Sequence, residues 1–127
     1  PEKLIPKFKR LLKEGKKCTI HGKNCANIKR AFMHVEDVVD AVETVWKKGL
    51  RGEIYNIASD DELTVIEVTH LIIETIYPDV TDHDKWVGYV DDRPFNDKRY
   101  YICANKLKAL GWRQKKTRKD LIEFLRV

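Results

Sequence analysis

No apolar run in this chain approaches the roughly 18 residues a membrane-spanning helix requires, and no signal-peptide pattern opens it. Cysteine is scarce and odd in number. Cys18, Cys25 and Cys103 are too few for a disulfide scaffold, so a reducing compartment is expected, the cytoplasm by default. The six glycines (positions 15, 22, 49, 52, 88 and 111) never form the Gly-x-Gly-x-x-Gly turn that holds a dinucleotide pyrophosphate. Aromatics are thin where positive charge is dense. Residues 1–30 carry ten Lys or Arg against two Glu, a balance of +8 within a net charge of +5, yet their one aromatic is Phe8. Readers of bases and single strands interleave aromatics with cations, so a solvated helix face is the plainer reading and no nucleic-acid partner is expected. Cys18-x-x-His21-x-x-x-Cys25 lacks a matching fourth ligand, and His34 does not supply one, so no metal site is expected.

What is present is an α/β pattern of single-domain size, 127 residues that open on Pro1 at a helix-like run, as expected of a piece of something longer. Leu4, Ile5, Phe8, Leu11 and Leu12 recur at helical spacing up to a stop at Gly15. Cys18 to His21 suits a strand, and residues 23–27 a loop. Val38, Ala41, Val42, Val45 and Trp46 define a second helix, with Lys47 and Lys48 at its negative end before Gly49. Glu53 to Ala58 reads as a strand. Thr64-x-x-Glu67 is a capping box for a third helix with a face of Val68, Leu71, Ile72, Thr75 and Ile76, ending before Pro78. A strand over Trp86 to Val90, a short helix over Asn105 to Leu110, and a last helix capped by Thr117-x-x-Asp120 and carrying Leu121, Phe124 and Leu125 complete the pattern.

The densest chemistry lies in Asp92-Arg93-Pro94-Phe95-Asn96-Asp97, followed by Lys98-Arg99-Tyr100. A guanidinium on a proline-stiffened loop suits a bidentate grip on phosphate or carboxylate; the alternative is a surface ion-pair loop. Four further segments precede or follow it in order: Pro1 to Phe8, Cys18 to Gly22 with Arg30 to Val39, Gly52 to Ile57, and Lys106 to Trp112. Together these resemble the C-terminal part of the nucleotide-sugar 4,6-dehydratases of the extended short-chain dehydrogenase/reductase family. The similarity runs from Pro1 to about Trp112, and Arg-Pro-Phe-Asn-Asp is closer to the UDP-glucose and eukaryotic-type dTDP-glucose enzymes than to the common bacterial ones.

The resemblance implies a small mixed α/β substrate-binding lobe over residues 1–127, with the Rossmann domain and its NAD outside this chain. The family's Tyr-x-x-x-Lys is absent, since none of Tyr55, Tyr77, Tyr89, Tyr100 and Tyr101 has lysine four residues on. No catalytic residue is therefore expected here. The implied ligand is UDP- or dTDP-glucose. Arg93 matches the arginine that grips the diphosphate, with Asp92 and Asn96 beside it, Asn96 standing where bacterial relatives carry histidine. Arg30 matches a second phosphate-side arginine; its alternative is pairing with Glu36 or Asp37. Lys3 and Leu4 match a Lys-Leu pair along the ligand, core packing being the alternative for Leu4. Thr19, Ile20 and His21 match a strand whose edge meets the nucleobase, and Asn56 matches an asparagine that reaches the ligand, or else a buried amide at a strand end. Asp97, Arg99 and Tyr100 brace the loop. The whole enzyme is implied to be a cytoplasmic homodimer that oxidises the sugar at C4, eliminates water across C5 and C6 and returns the hydride to C6, usually on the way to rhamnose. A sister epimerase or decarboxylase and a non-catalytic sugar-nucleotide module remain alternatives.

Overall fold

The computed structural model describes residues 3–22, 26–91 and 101–126. Helix α1 (Leu4–Lys13) turns Phe8 and Leu12 into the core. Pro6 is tolerated because N–H groups in the first turn have no intrahelical acceptor, so the donor that proline lacks costs no helical hydrogen bond. The helix ends in a Schellman motif: Gly15, at φ +72°, donates its N–H to Leu12 O at 3.0 Å, and Lys16 donates to Leu11 O at 2.8 Å. Strand β1 (Cys18–His21) follows, then β2 (Lys29–Ala31) and α2 (Val35–Lys48). Helix α2 starts one turn earlier than the apolar spacing suggests, because His34 caps it: Nδ1 accepts from the Glu36 N–H at 3.1 Å.

Strand β3 (Glu62–Thr64) runs straight into α3 (Val65–Ile76) through the expected capping box. The Thr64 hydroxyl accepts from the Glu67 N–H at 3.2 Å, and the Glu67 carboxylate accepts from the Thr64 N–H at 2.7 Å. A 3₁₀ turn (His83–Trp86) feeds β4 (Val87–Val90); α4 (Asn105–Ala109) and α5 (Arg118–Arg126) close the chain. Two two-stranded sheets result. β1 and β4 pair in parallel with Thr19 opposite Gly88 and His21 opposite Val90, while β2 and β3 pair antiparallel with Arg30 opposite Leu63. Helix α3 packs against α1 and α5, and Phe8, Leu12, Cys18, Ile20, Leu63, Val68, Ile72, Ile73 and Leu125 form one core. A second cluster joins Ala41 of α2 to Ala104, Leu107 and Trp112.

Two sequence expectations give way. Glu53 to Ala58 is not a strand. A strand needs a ladder partner, and among the described residues nothing pairs with this run; Ile54 stays 81% exposed. Helix α2 is also not sealed on its expected face. It buries Asp37 and Ala41, while Val35, Val39, Val42 and Trp46, a stripe at i, i+4, i+7 and i+11, face outward, Trp46 at 87% exposure.

Asp37 shows why the second cluster holds. It is 2% exposed, and its two carboxylate oxygens accept from the Lys115 and Lys116 N–H groups at 3.0 Å each, while its carbonyl accepts from Trp112 Nε1 at 3.2 Å. Glu36 pairs with Lys116 at 2.9 Å. Glu36 and Asp37, the partners weighed as the alternative for Arg30, are thus engaged by the 112–117 segment.

Candidate functional site

A groove of about 880 Å³ opens between the N-terminal half of α1, strands β1 and β2, and Phe124 of α5. Its walls include Lys3 and Leu4 from α1 and its cap, Thr19, Ile20 and His21 from β1, and Arg30 from β2. Three stretches far apart in sequence thus meet on one surface. Each is delivered by local structure. In α1 the helical period turns Phe8 and Leu12 inward and leaves Lys3 and Lys7, four residues apart, on the groove side. In β1 the two-residue period sends Cys18 and Ile20 into the core and leaves Thr19 and His21 half-buried.

Strand β1 carries β4 along one edge, and among the described residues no strand pairs with its other edge. Backbone N–H and C=O groups on such an edge can read a planar hydrogen-bonding ligand. His21 closes the end of the strand, with Nδ1 3.4 Å from the Asp91 carbonyl oxygen, and the Gly22 N–H donates to Val90 O at 2.7 Å. Arg30 is half-buried and donates from Nη1 to its neighbour's carbonyl, Lys29 O, at 3.0 Å.

The groove's charge is one-sided. Lys3, Lys7, Lys9 and Arg30 line it, and no carboxylate does among the described residues. Phe8, Phe32 and Phe124 supply apolar and aromatic surface beside the cations. Such a wall suits an anion attached to a flat, partly apolar body. Among the described residues its lining includes no cysteine. Cys18, the thiol nearest by sequence, is fully buried, and burial pushes it up to about 12.

Asn56 lies outside this groove on the exposed, unpaired run, so the structure does not bring it to the other predicted residues. Asp92, Arg93 and Asn96 fall outside the described residues. The chain leaves the described residues at Asp91, beside His21, and returns at Tyr101, which lines a smaller depression of about 430 Å³ together with Arg30. Sequence reasoning missed Lys7, Lys9, Phe32 and Phe124. The i, i+4 spacing of Lys7 from Lys3 was the available signal for the first; Phe124 reaches the groove only because α5 folds back on α3.

The chain matches the NAD dependent epimerase/dehydratase family over residues 1–58. It is 45% identical over 117 residues to the dTDP-D-glucose 4,6-dehydratase of Bos taurus, which covers 91% of this chain and 32% of that protein. It is 44% identical over 112 residues to an Arabidopsis thaliana trifunctional UDP-glucose 4,6-dehydratase/3,5-epimerase/reductase, covering 88% of this chain and 16% of that one. The fold superposes on a dTDP-glucose 4,6-dehydratase from Streptomyces venezuelae, solved with NAD and TYD bound, with a TM-score of 0.87 and 30% identity, over 99% of this chain and 38% of that one. In sequence over residues 1–58 and in fold the chain resembles the NAD dependent epimerase/dehydratase family, with the small mixed α/β fold of a partial domain. The chain spans about a third of the length of the animal dTDP-D-glucose 4,6-dehydratases it matches.

Proposed function

We propose that this chain, as one lobe over residues 1–127, is the sugar-nucleotide-binding portion of an NAD-dependent 4,6-dehydratase that converts UDP- or dTDP-glucose to the 4-keto-6-deoxy sugar nucleotide. The observation that carries this reading is the groove, where Lys3, Leu4, Thr19, Ile20, His21 and Arg30 converge on a surface that carries no carboxylate among the described residues. Lys3, Lys7 and Arg30 would neutralise the diphosphate, Arg30 as a planar fork and the lysines as point charges. The unpaired edge of β1 would hold the base, with His21 at its end. Arg93, in the stretch between Asp91 and Tyr101, is proposed as the second diphosphate clamp, with Asp92 and Asn96 beside it. Asn56 is a ligand contact in this reading only once the exposed run that carries it is covered.

The chain's own residues do not fit NAD. The glycines with positive φ, Gly15, Gly22, Gly52 and Gly111, stand apart at turns, and no glycine-rich strand-to-helix turn is present for a pyrophosphate. When bound elsewhere in such an enzyme, NAD supplies the oxidation and reduction of the sugar. The outward stripe of Val35, Val39, Val42 and Trp46, together with the unpaired run through Ile54, fits as the face that packs against that NAD-holding part. The work of this portion is positioning. Binding energy from the remote diphosphate and base holds the hexose in reacting geometry. The proposed whole enzyme is a cytoplasmic homodimer; a place ahead of rhamnose formation is supported by one relative, whose name includes a UDP-4-keto-L-rhamnose reductase. Among the described residues no helix is long and apolar enough to cross a membrane.

Turnover tests the reading. The protein expressed from its complete reading frame, given NAD and either UDP-glucose or dTDP-glucose, is expected to yield a 4-keto-6-deoxy product from at least one donor. A folded protein that converts neither, or that only epimerises the sugar, contradicts it.

A further inference from the structure

On the side of α3 that meets the 3₁₀ turn, two imidazoles lie ring to ring. The His70 and His83 centroids are 4.7 Å apart with the planes inclined at 37°, and His83 Nε2 is 2.9 Å from Glu74 Oε1. His70 Nε2 is buried and has no hydrogen-bond partner among the described residues. The turn these groups hold runs without a break into β4, which pairs with the groove strand β1 from Cys18 to His21. The turn's far end is clamped separately: Trp86 stacks on Tyr77 at 4.3 Å, and the Tyr77 hydroxyl donates to Leu12 O at 2.5 Å.

We propose that His70, His83 and Glu74 form a proton-sensitive brace that fixes the 3₁₀ turn and, through it, the β1–β4 pair beside the groove. As a neutral ring with its proton on Nδ1, His70 leaves only a bare acceptor at the buried Nε2. Protonation places an N–H there that faces no acceptor, a buried unpaired donor. It also sets a cation against the neighbouring His83 ring. The charged and titratable groups acting on His70 are His83 and Asp84 of the turn and Glu74 of its own helix. Burial and then His83 hold its pKa below the ordinary 6.5, against the opposing pull of Asp84 and Glu74.

The sign follows from linkage. His70 is neutral in the fold, while the unfolded chain takes up its proton near 6.5. The brace therefore contributes fully above that pH, and its contribution is lost as pH falls from there through the lowered folded value. The carboxylates with depressed pKa, Glu14, Glu53, Glu67 and Asp120, lose their contributions only at and below their ordinary values of 4.5 and 3.8, so the two acid limbs are separate. The brace adds a regulation to the groove and rests on the sugar-nucleotide reading only for its consequence. Its test does not use that ligand.

The experiment is a histidine Cε1–H NMR titration, joined to urea unfolding and amide exchange of Val87–Val90 at about pH 7.5 and about pH 5.5, on the wild-type chain and His70→Phe. His70 is expected to titrate below 6.5. Wild-type unfolding is expected to become several-fold more favourable at the lower pH, at most about tenfold per pH unit for one proton, with faster β4 exchange after correction for intrinsic rates. His70→Phe is expected to flatten both changes. Titration at or above 6.5, or an acid limb and β4 exchange unaltered by His70→Phe, would overturn the proposal. Should His70→Phe not fold, the wild-type titration and exchange decide by themselves. Failure of nucleotide binding would leave these readouts untouched.

Discussion

Asp37→Ala is expected to lower the unfolding free energy by about 3–5 kcal/mol, the largest loss of any single substitution considered for this fold. The carboxylate is 2% exposed and holds the Lys115 and Lys116 N–H groups, both at 3.0 Å. Alanine removes two charge-assisted hydrogen bonds and leaves those donors without their acceptor. A domain of this size has only about 5–15 kcal/mol of stability, so the loss removes a large share of it. The damage should also spread. The 112–117 segment leads directly into α5, and α5 carries Leu125 into the core and Phe124 to the groove. Asp37→Asn, which keeps one acceptor, should fall between the two. Urea unfolding of the three proteins measures this, and an alanine variant within about 1 kcal/mol of the wild type would show that Asp37 is not the staple described.

Arg30→Ala is expected to weaken UDP binding about tenfold to hundredfold while leaving the thermal midpoint nearly unchanged. Arg30 stands on a short strand whose backbone is fixed by β3, so its loss removes a charge from the groove while the strand pairing is kept. Arg30→Lys should recover part of the affinity, because an ammonium keeps the charge and loses the fork. Lys13→Ala, an exposed cation at the end of α1 outside the groove, should change binding less than twofold. Calorimetric titration of all four proteins separates a formed site from general attraction to a basic surface. Equal losses at Arg30 and Lys13 would favour the basic surface.

How much of this was legible in the sequence depended on the range of the forces involved. Helix ends were readable because their determinants are local. Gly15 closes α1 and the Thr64–Glu67 box opens α3 as their spacing predicts. The run from Glu53 to Ala58 was misread because extended, apolar composition specifies a strand only if another strand lies alongside. Helix α2 was recognised and Ala41 and Val45 of its expected face do pack inward, but Val42 and Trp46 do not, since one period cannot say which part of an apolar stripe finds a neighbour within this chain. Asp37 was weighed only as a partner for Arg30, and its true partners stand 78 and 79 residues away. At the groove, six residues singled out through family resemblance do lie together, whereas Lys7, Lys9, Phe32 and Phe124 needed the tertiary packing to be seen. The brace at His70 was likewise invisible, because the sequence alone does not bring His83 back over α3.

The most direct test of the groove assignment is amide chemical-shift mapping of the isotope-labelled chain with UDP, with uridine and with inorganic phosphate. The account predicts that UDP perturbs Lys3, Thr19, Ile20, His21 and Arg30 together, and that uridine and phosphate each do so only at much higher concentration. Perturbations scattered over exposed lysines such as Lys13 and Lys16, matched in size by phosphate alone, would contradict it.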